Sequence, residues 1–171
     1  IITHAHADHA RYGHEEVIAT KQTIDIMKIR YGKNCAKKYT VLRYGQKYQI
    51  KDYQFTLYPA GHILGSAQVL VEKNKHKLVV TGDYKVGRDE TCKNFKLVKC
   101  DTLITEATFG LPIFQHPDPK EEIKKLINSV KKNKSSCHIV GAYALGKAQR
   151  VMNLLRQNNY SDTIFIHGSL E

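Results

Sequence analysis

The stretch Thr3-His4-Ala5-His6-Ala7-Asp8-His9 places four potential metal ligands within six positions. On composition alone an H-x-H-x-D-H string has odds of roughly one in a thousand of arising somewhere in a chain of this kind, so the loop reads as chemistry. In an extended segment, residues two apart point to the same side. His4 and His6 can therefore hold one metal ion together, while the adjacent Asp8 and His9 face away and can grip another. Two metals are implied. Such a loop needs a rigid neighbour, and Ile1-Ile2 reads as the end of a buried strand that leads into a polar loop over residues 3 to 14.

The chain that surrounds this loop has 171 residues, 42% of them hydrophobic and 25% charged, with only 4 prolines. That length fits about one domain, and that composition fits a folded chain rather than a disordered or collagen-like one. Residue 1 is isoleucine, so the expectation is an excerpt whose natural protein starts upstream. No run approaches the roughly 18 consecutive apolar residues of a membrane span, and no signal-peptide pattern is visible, so no membrane partner and a cytoplasmic location are expected. Lysine and arginine exceed aspartate and glutamate by 27 − 16 = +11, a balance that attracts polyanions, nucleic acid first among them. Cys35, Cys92, Cys100 and Cys137 form no C-x-x-C pair and are expected to be reduced.

Further outward, apolar residues at Ile24, Ile26, Met27 and Ile29 predict a short helix over 23–30, and alternation predicts strands over 39–43 and 54–58. Residues 67–72 and 77–81 flank the polar tetrapeptide Lys73-Asn74-Lys75-His76 and predict a β-hairpin. Thr102 to Thr105 is another short apolar run, ending at Glu106. Beyond Pro119, helices are predicted over 120–132 and 146–157 and strands over 138–141 and 163–166. Hairpins early and alternating helices and strands late predict an α/β fold with a mixed sheet followed by a parallel α/β segment, split near residue 110.

Two ions need ligands from distant positions as well. His62 lies in Pro59-Ala60-Gly61-His62-Ile63-Leu64-Gly65-Ser66, directly after a predicted strand, where the glycines permit a tight turn. Asp83, in Val80-Thr81-Gly82-Asp83-Tyr84, ends the next hairpin arm. Both stand in loop positions after strands, and both are candidate ligands.

In this order His4, His6, Asp8, His9, His62 and Asp83 resemble the successive motifs of the metallo-β-lactamase fold. The run Pro59 to Gln68, with Thr105-Glu106-Ala107-Thr108-Phe109-Gly110 and Ala142 to Gln149, narrows the likeness to the β-CASP nuclease branch, and it is similar above all to the bacterial ligase-associated DNA exonucleases. The resemblance implies a partial metallo-β-lactamase-like αββα sandwich over residues 1–110 and the start of a β-CASP-like α/β region over 111–171. It implies that His4, His6 and His62 bind a first metal, that Asp8 and His9 bind a second, and that Asp83 bridges them. It makes Asp83, Asp8 and Glu106 the catalytic carboxylates, Glu106 orienting a ligand or acid from outside the first ring of ligands. His14 falls just past the loop as a hydrogen-bonding support. The family's strands ahead of the first motif and its later histidine motifs are absent here. His167 does not match those motifs, the second metal site is incomplete, and an excerpt without those parts need not be active by itself.

The implied activity is metal-dependent hydrolysis of DNA phosphodiester bonds, an exonuclease of DNA repair using a hydroxide activated by two cations about 3.5 to 4 Å apart. Histidine and aspartate donors without thiolates suit zinc or manganese. DNA is favoured over RNA as the partner, with a DNA ligase and a helicase as further partners by resemblance. The start of the predicted helix over 146–157, Gly146 and Lys147, is a candidate phosphate site through its free amides and dipole, and Lys85 and Arg88 are weaker groove candidates. An RNA-processing nuclease of the same branch and a small-molecule metallo-hydrolase on the same fold are the alternatives. The Thr105 to Gly110 motif and the +11 charge argue against the small-molecule reading.

Overall fold

Asn74 and Lys75 both adopt left-handed backbone, with φ of 49° and 67°, as the two central residues of a tight hairpin turn require. They join β5 (Ala67–Lys73) to β6 (His76–Val80) in antiparallel register, Lys73 opposite His76 and Val69 opposite Val80. The hairpin is thus as predicted, with its turn confined to two residues. It is the middle of a five-stranded sheet that also contains β3 (Lys47–Ile50), β4 (Tyr53–Pro59) and β7 (Thr102–Ile104), in the order β3-β4-β5-β6-β7. Pairing is antiparallel from β3 to β6 and parallel between β6 and β7, so the sheet is mixed.

A second sheet pairs β1 (His14–Ala19) with β2 (Ala36–Val41) in parallel, linked by α1 (Lys21–Tyr31). Thr20 caps α1, its hydroxyl accepting from Thr23 N at 3.3 Å. Buried Ile18, Leu42, Leu57, Ala67 and Val69 form one core between the elements of the two sheets, with Tyr44, Tyr48, Phe55 and Val71 packed against it. Removing these side chains from water is the main stabilising term, about 1.5–3 kcal/mol for each fully buried large aliphatic residue.

The computed structural model describes residues 1–170, an α/β protein in two compact units, the first Ile1–Glu106 and the second from Ala107 on. The second unit contains α2 (Pro119–Lys132) and α3 (Lys147–Gln157), followed by a short 3-10 turn at Gly168–Leu170. Asp118 caps α2 through its side chain, which accepts from Lys120 N at 2.7 Å, and Pro119 opens the helix. Ile123 and Ile127 of α2 pack against Leu155 of α3, with Val151, Leu154, Tyr160 and Ile164 around them.

Three sequence expectations are corrected. Residues 138–141 and 163–166 are not strands, and the parallel α/β arrangement expected of the last third does not form among the described residues. An apolar run becomes a strand only where a neighbour satisfies its backbone, and here Ile139 and Phe165 are each 92% exposed. Ile1-Ile2 is not a strand either: Ile1 is exposed, and the segment makes isolated contacts, Ile2 N donating to Ile18 O at 3.0 Å and Thr3 O accepting from Ala67 N at 2.8 Å. Those two bonds still tie the histidine loop to β1 and β5. The loop also ends earlier than expected, because His14 already begins β1.

No helix among the described residues is long and apolar enough to cross a membrane.

Candidate metal centre

The first loop leaves residues 2–3 pinned between β1 and β5 and turns back on itself, His9 N and Ala10 N both donating to His6 O, at 3.1 and 2.8 Å. Arg30 of α1 donates to Ala5 O at 2.6 Å, fixing the loop from the helix side. This geometry brings the imidazoles of His4 and His6 together, with His4 fully buried.

The second loop, between β4 and β5, is closed by a serine. The Ser66 hydroxyl accepts from His62 N and Ile63 N at 3.1 and 3.2 Å, and Ala60 N donates to Ser66 O at 3.2 Å. Thr20 and Thr23 at the start of α1 donate to Gly65 O at 2.7 and 3.1 Å, and Tyr44 donates its hydroxyl to Ser66 O at 2.9 Å. Burial pushes the Tyr44 phenol up to about 12, so it stays a neutral donor.

The third contribution follows β6. Gly82 has φ of 56°, and a Cβ there would lie 2.8 Å from Thr3 Cβ and Oγ1. The absence of a side chain lets the backbone that carries Asp83 close onto the segment entering the histidine loop. Thr3 Oγ1 in turn lies 3.1 Å from His4 Nδ1, a contact that suits the tautomer with its Nε2 lone pair turned into the cluster.

The outcome is a compact set of donors. One ligand atom from each of His4, His6, His62 and Asp83 lies within 4.8 Å of all the others. His6 Nδ1 is 3.1 Å from His4 Nε2 and 3.2 Å from His62 Nε2, while Asp83 Oδ2 is 3.7 Å from His4 Nε2 and 3.6 Å from His62 Nε2. Four donors at zinc–nitrogen distances of about 2.0–2.1 Å, placed tetrahedrally, would be separated by roughly 3.3–3.4 Å. Those four spacings bracket that edge and the other two lie within 4.8 Å, so the donor types and their approach suit a cation of this kind.

The other oxygen of the same carboxylate faces the remaining pair. Asp83 Oδ1 is 3.4 Å from His9 Nε2, which is 3.5 Å from Asp8 Oδ2. Asp8 is 77% exposed, and these three groups do not converge as the first four do. Burial, reinforced by the neighbouring imidazoles of His9, His62 and His6, lowers the His4 pKa to about 3, so this ring carries no proton that would compete for its lone pair. His62 is lowered as well, chiefly by burial and then by His6, while Asp83 and Glu106 act in the opposite sense. Glu106, just beyond β7, therefore lies within electrostatic reach of the cluster.

The remaining sequence candidates are not among the four converging donors. His14 keeps its Nε2 buried without a hydrogen-bond partner, so no support runs through that atom. His167 pairs locally with Ser169 at 3.0 Å. Gly146 and Lys147 sit at the start of α3 in the second unit, where Gly146 N donates to Gln149 Oε1 at 2.7 Å and the Lys147 ammonium lies 5.1 Å above the Tyr143 ring. Lys85 pairs with Asp89 at 3.2 Å and Arg88 with Glu90 at 3.8 Å. Sequence reasoning missed the supports: Thr3, Thr20, Arg30, Ser66 and Gln68. Of these, only Ser66, four residues after His62 in the same glycine-flanked run, carried a local signal.

No family model matches the chain. It is 32% identical over 169 residues to a probable DNA ligase of Opitutus terrae, covering 92% of this chain and 16% of that protein. It is 30% identical over 198 aligned positions to an RNase J-like protein of Methanocaldococcus jannaschii, covering 99% of this chain and 47% of that protein. It is also 30% identical over 132 residues to an uncharacterised protein in the lig 3' region of Acidianus ambivalens, covering 76% of this chain and 91% of that protein. The chain thus spans less than half the length of the first two relatives. Among solved structures, a protein of unknown function from Enterococcus faecalis V583 shares the fold with a TM-score of 0.56 and 13% identity, over 91% of this chain and 43% of that one.

Proposed function

This chain belongs to the β-CASP nuclease family, and from that premise we propose that it carries the cation site of a two-metal phosphodiesterase that shortens DNA from an end. The first unit is read as a metallo-β-lactamase-like metal-binding domain and the second as a β-CASP-like segment. One observation carries the reading: three imidazole nitrogens and a carboxylate oxygen, drawn from three separate loops, all lie within 4.8 Å of one another.

Two bound divalent cations, zinc or manganese, would supply Lewis acidity, lowering the pKa of water toward neutrality and offsetting phosphate charge. The chain's own residues do the rest. His4, His6 and His62 would hold the first cation, their converging atoms being Nε2, Nδ1 and Nε2. Asp83 would serve both positions, since its Oδ2 faces His4 and His62 and its Oδ1 faces His9. Asp8 and His9 furnish the second position. Glu106 acts through His62, its negative charge favouring positive charge on that side of the site. Gly146 and Lys147 are assigned to a substrate phosphate, through a helix start that favours anions. A side-chain nucleophile is not needed for this chemistry.

DNA is supported by two relatives, one named a probable DNA ligase and one named for a lig region. The overall charge of +11 suits either nucleic acid. RNA is the second reading, favoured by the RNase J-like relative. A ligase partner, and a helicase with it, goes with the DNA reading.

Parallel digestion of end-labelled DNA and RNA strands of matched sequence by the full chain, with and without a chelator, tests the proposal. The expected result is metal-dependent shortening of DNA from its end. Faster cleavage of RNA selects the second reading, and cleavage that survives complete chelation rejects both.

A further inference from the structure

Asp83 and His62 stand on different loops, and a third segment fastens those loops together from behind. Lys85 N, two residues past Asp83, donates to Ala60 O, two residues before His62, at 3.0 Å. Eleven residues later the chain returns: Lys96 N donates to Pro59 O at 3.1 Å, and the buried amide of Gln68 donates to Pro59 O at 3.0 Å and to Lys96 O at 2.8 Å. Residues 85–96 therefore form a strap with both ends on the residues that lead into His62. Its fit is close enough that a Cβ on Gly61 would lie 2.3 Å from Lys85 O and 2.9 Å from Phe95 N.

The strap contains no helix or strand, so something else must close it. Asp89 does so. Its side chain is 4% exposed, and its Oδ1 accepts from Thr91 N at 3.0 Å and from the Thr91 hydroxyl at 2.6 Å. Oδ2 accepts from the Lys85 ammonium at 3.2 Å, and Asp89 N donates to Asn94 Oδ1 at 3.2 Å. A buried carboxylate is costly unless every lone pair is used, and this one is used to join the first residue of the strap to its middle. The rings of Tyr84 and Phe95, 5.5 Å apart, brace the strap at both ends beside Asp83.

We propose that Asp89 is a positioning residue for the cation site: by closing the 85–96 strap it sets the separation between the Asp83 carboxylate and the His62 imidazole. It touches neither cation nor substrate. This inference rests on the reading of His4, His6, His62 and Asp83 as ligands. Opening the strap frees the backbone on the Asp83 side of the Lys85–Ala60 hydrogen bond, and a ligand held in several orientations binds a cation less tightly than one held in place.

The test is zinc affinity of the full chain, measured by competition against a chromophoric chelator, with the folded fraction of each variant checked by circular dichroism at the same temperature. Asp89→Asn keeps the shape but sets an amide where the Lys85 ammonium is bound. In folded Asp89→Asn the dissociation constant of the tightest zinc should rise about 10- to 100-fold, the range found when partners of metal ligands are removed. Glu90→Gln, on the neighbouring exposed side chain, should leave it unchanged. If Asp89→Asn does not fold, Thr91→Val decides, since it removes only the 2.6 Å hydroxyl bond and should weaken zinc by about 5-fold. Wild-type affinity in either folded variant overturns the strap's role while leaving the cation site standing. Equal weakening in Glu90→Gln overturns it too. A wild-type chain that takes up no zinc overturns the cation reading, and this inference with it.

Discussion

The two oxygens of Asp83 face regions built in different ways. On the Oδ2 side, His4 is fully buried, and the His62 loop is held by Ser66, by Thr20 and Thr23 of α1, and by Tyr44. On the Oδ1 side, His9 is 33% exposed and Asp8 77% exposed, on a stretch held by the two turn bonds to His6 O. The contrast shows how a fold divides its effort. Buried supports that themselves satisfy backbone groups make one of the two proposed cation positions rigid before any cation arrives, while an exposed turn leaves the other adjustable.

The contrast can be broken most decisively at its shared member. Asp83→Ala removes both oxygens, and nuclease activity of the full chain should fall on the order of a thousandfold, because several kcal/mol of charge stabilisation go with it. Activity within tenfold of wild type would show that no bridging carboxylate is needed. Next, His62→Ala and Asp8→Ala separate the two sides. The tightest zinc should weaken at least tenfold more in His62→Ala than in Asp8→Ala, as read by chelator competition; equal losses would erase the distinction between a rigid and an adjustable side.

Backbone packing sharpens the same point at smaller scale. Gly61 has φ of 73° and faces Lys85 O, so Gly61→Ala should cost about 1–3 kcal/mol in urea unfolding. A cost under about 0.5 kcal/mol would mean that the loop and the strap are not in contact.

Acid probes the strap itself. Burial acts to raise the Asp89 pKa, but hydrogen bonds from Thr91 and Lys85 outweigh it and hold the carboxyl below its ordinary value. A carboxylate lowered by folding contributes stability above its unfolded pKa of about 3.9, and that contribution is lost as pH falls through the lower folded value. The stability difference between wild type and Asp89→Asn should therefore narrow between pH 6 and pH 3. A difference that stays constant over that interval contradicts the assignment. The smallest effect belongs to the second unit: Lys147→Ala should weaken DNA binding a few-fold and lower the salt dependence by about one counterion, as loss of one phosphate contact does.

How much of this is legible in the sequence depends on where each piece gets its stability. The β5–β6 hairpin was readable because its signal is local: alternating arms around a polar turn. The candidate donors were readable because histidine and aspartate clustered in loops are chemically conspicuous, and the structure brings one donor atom each of His4, His6, His62 and Asp83 within 4.8 Å of the others. β1 escaped notice because its first half, His14-Glu15-Glu16, is polar, and only Val17 to Ala19 are buried. The apolar runs at 138–141 and 163–166 misled for the opposite reason: they have strand composition, but no neighbouring strand among the described residues to pair with. Asp89 was invisible, since a carboxylate in a polar loop looks solvated until Lys85 and Thr91 are seen around it.

X-ray absorption at the zinc edge on the full chain loaded with one equivalent of zinc tests the central claim most directly. The first shell should fit three imidazole nitrogens and at least one oxygen, and His62→Ala should remove one imidazole from it. A first shell without histidine scattering, or one that His62→Ala leaves unchanged, would contradict the account.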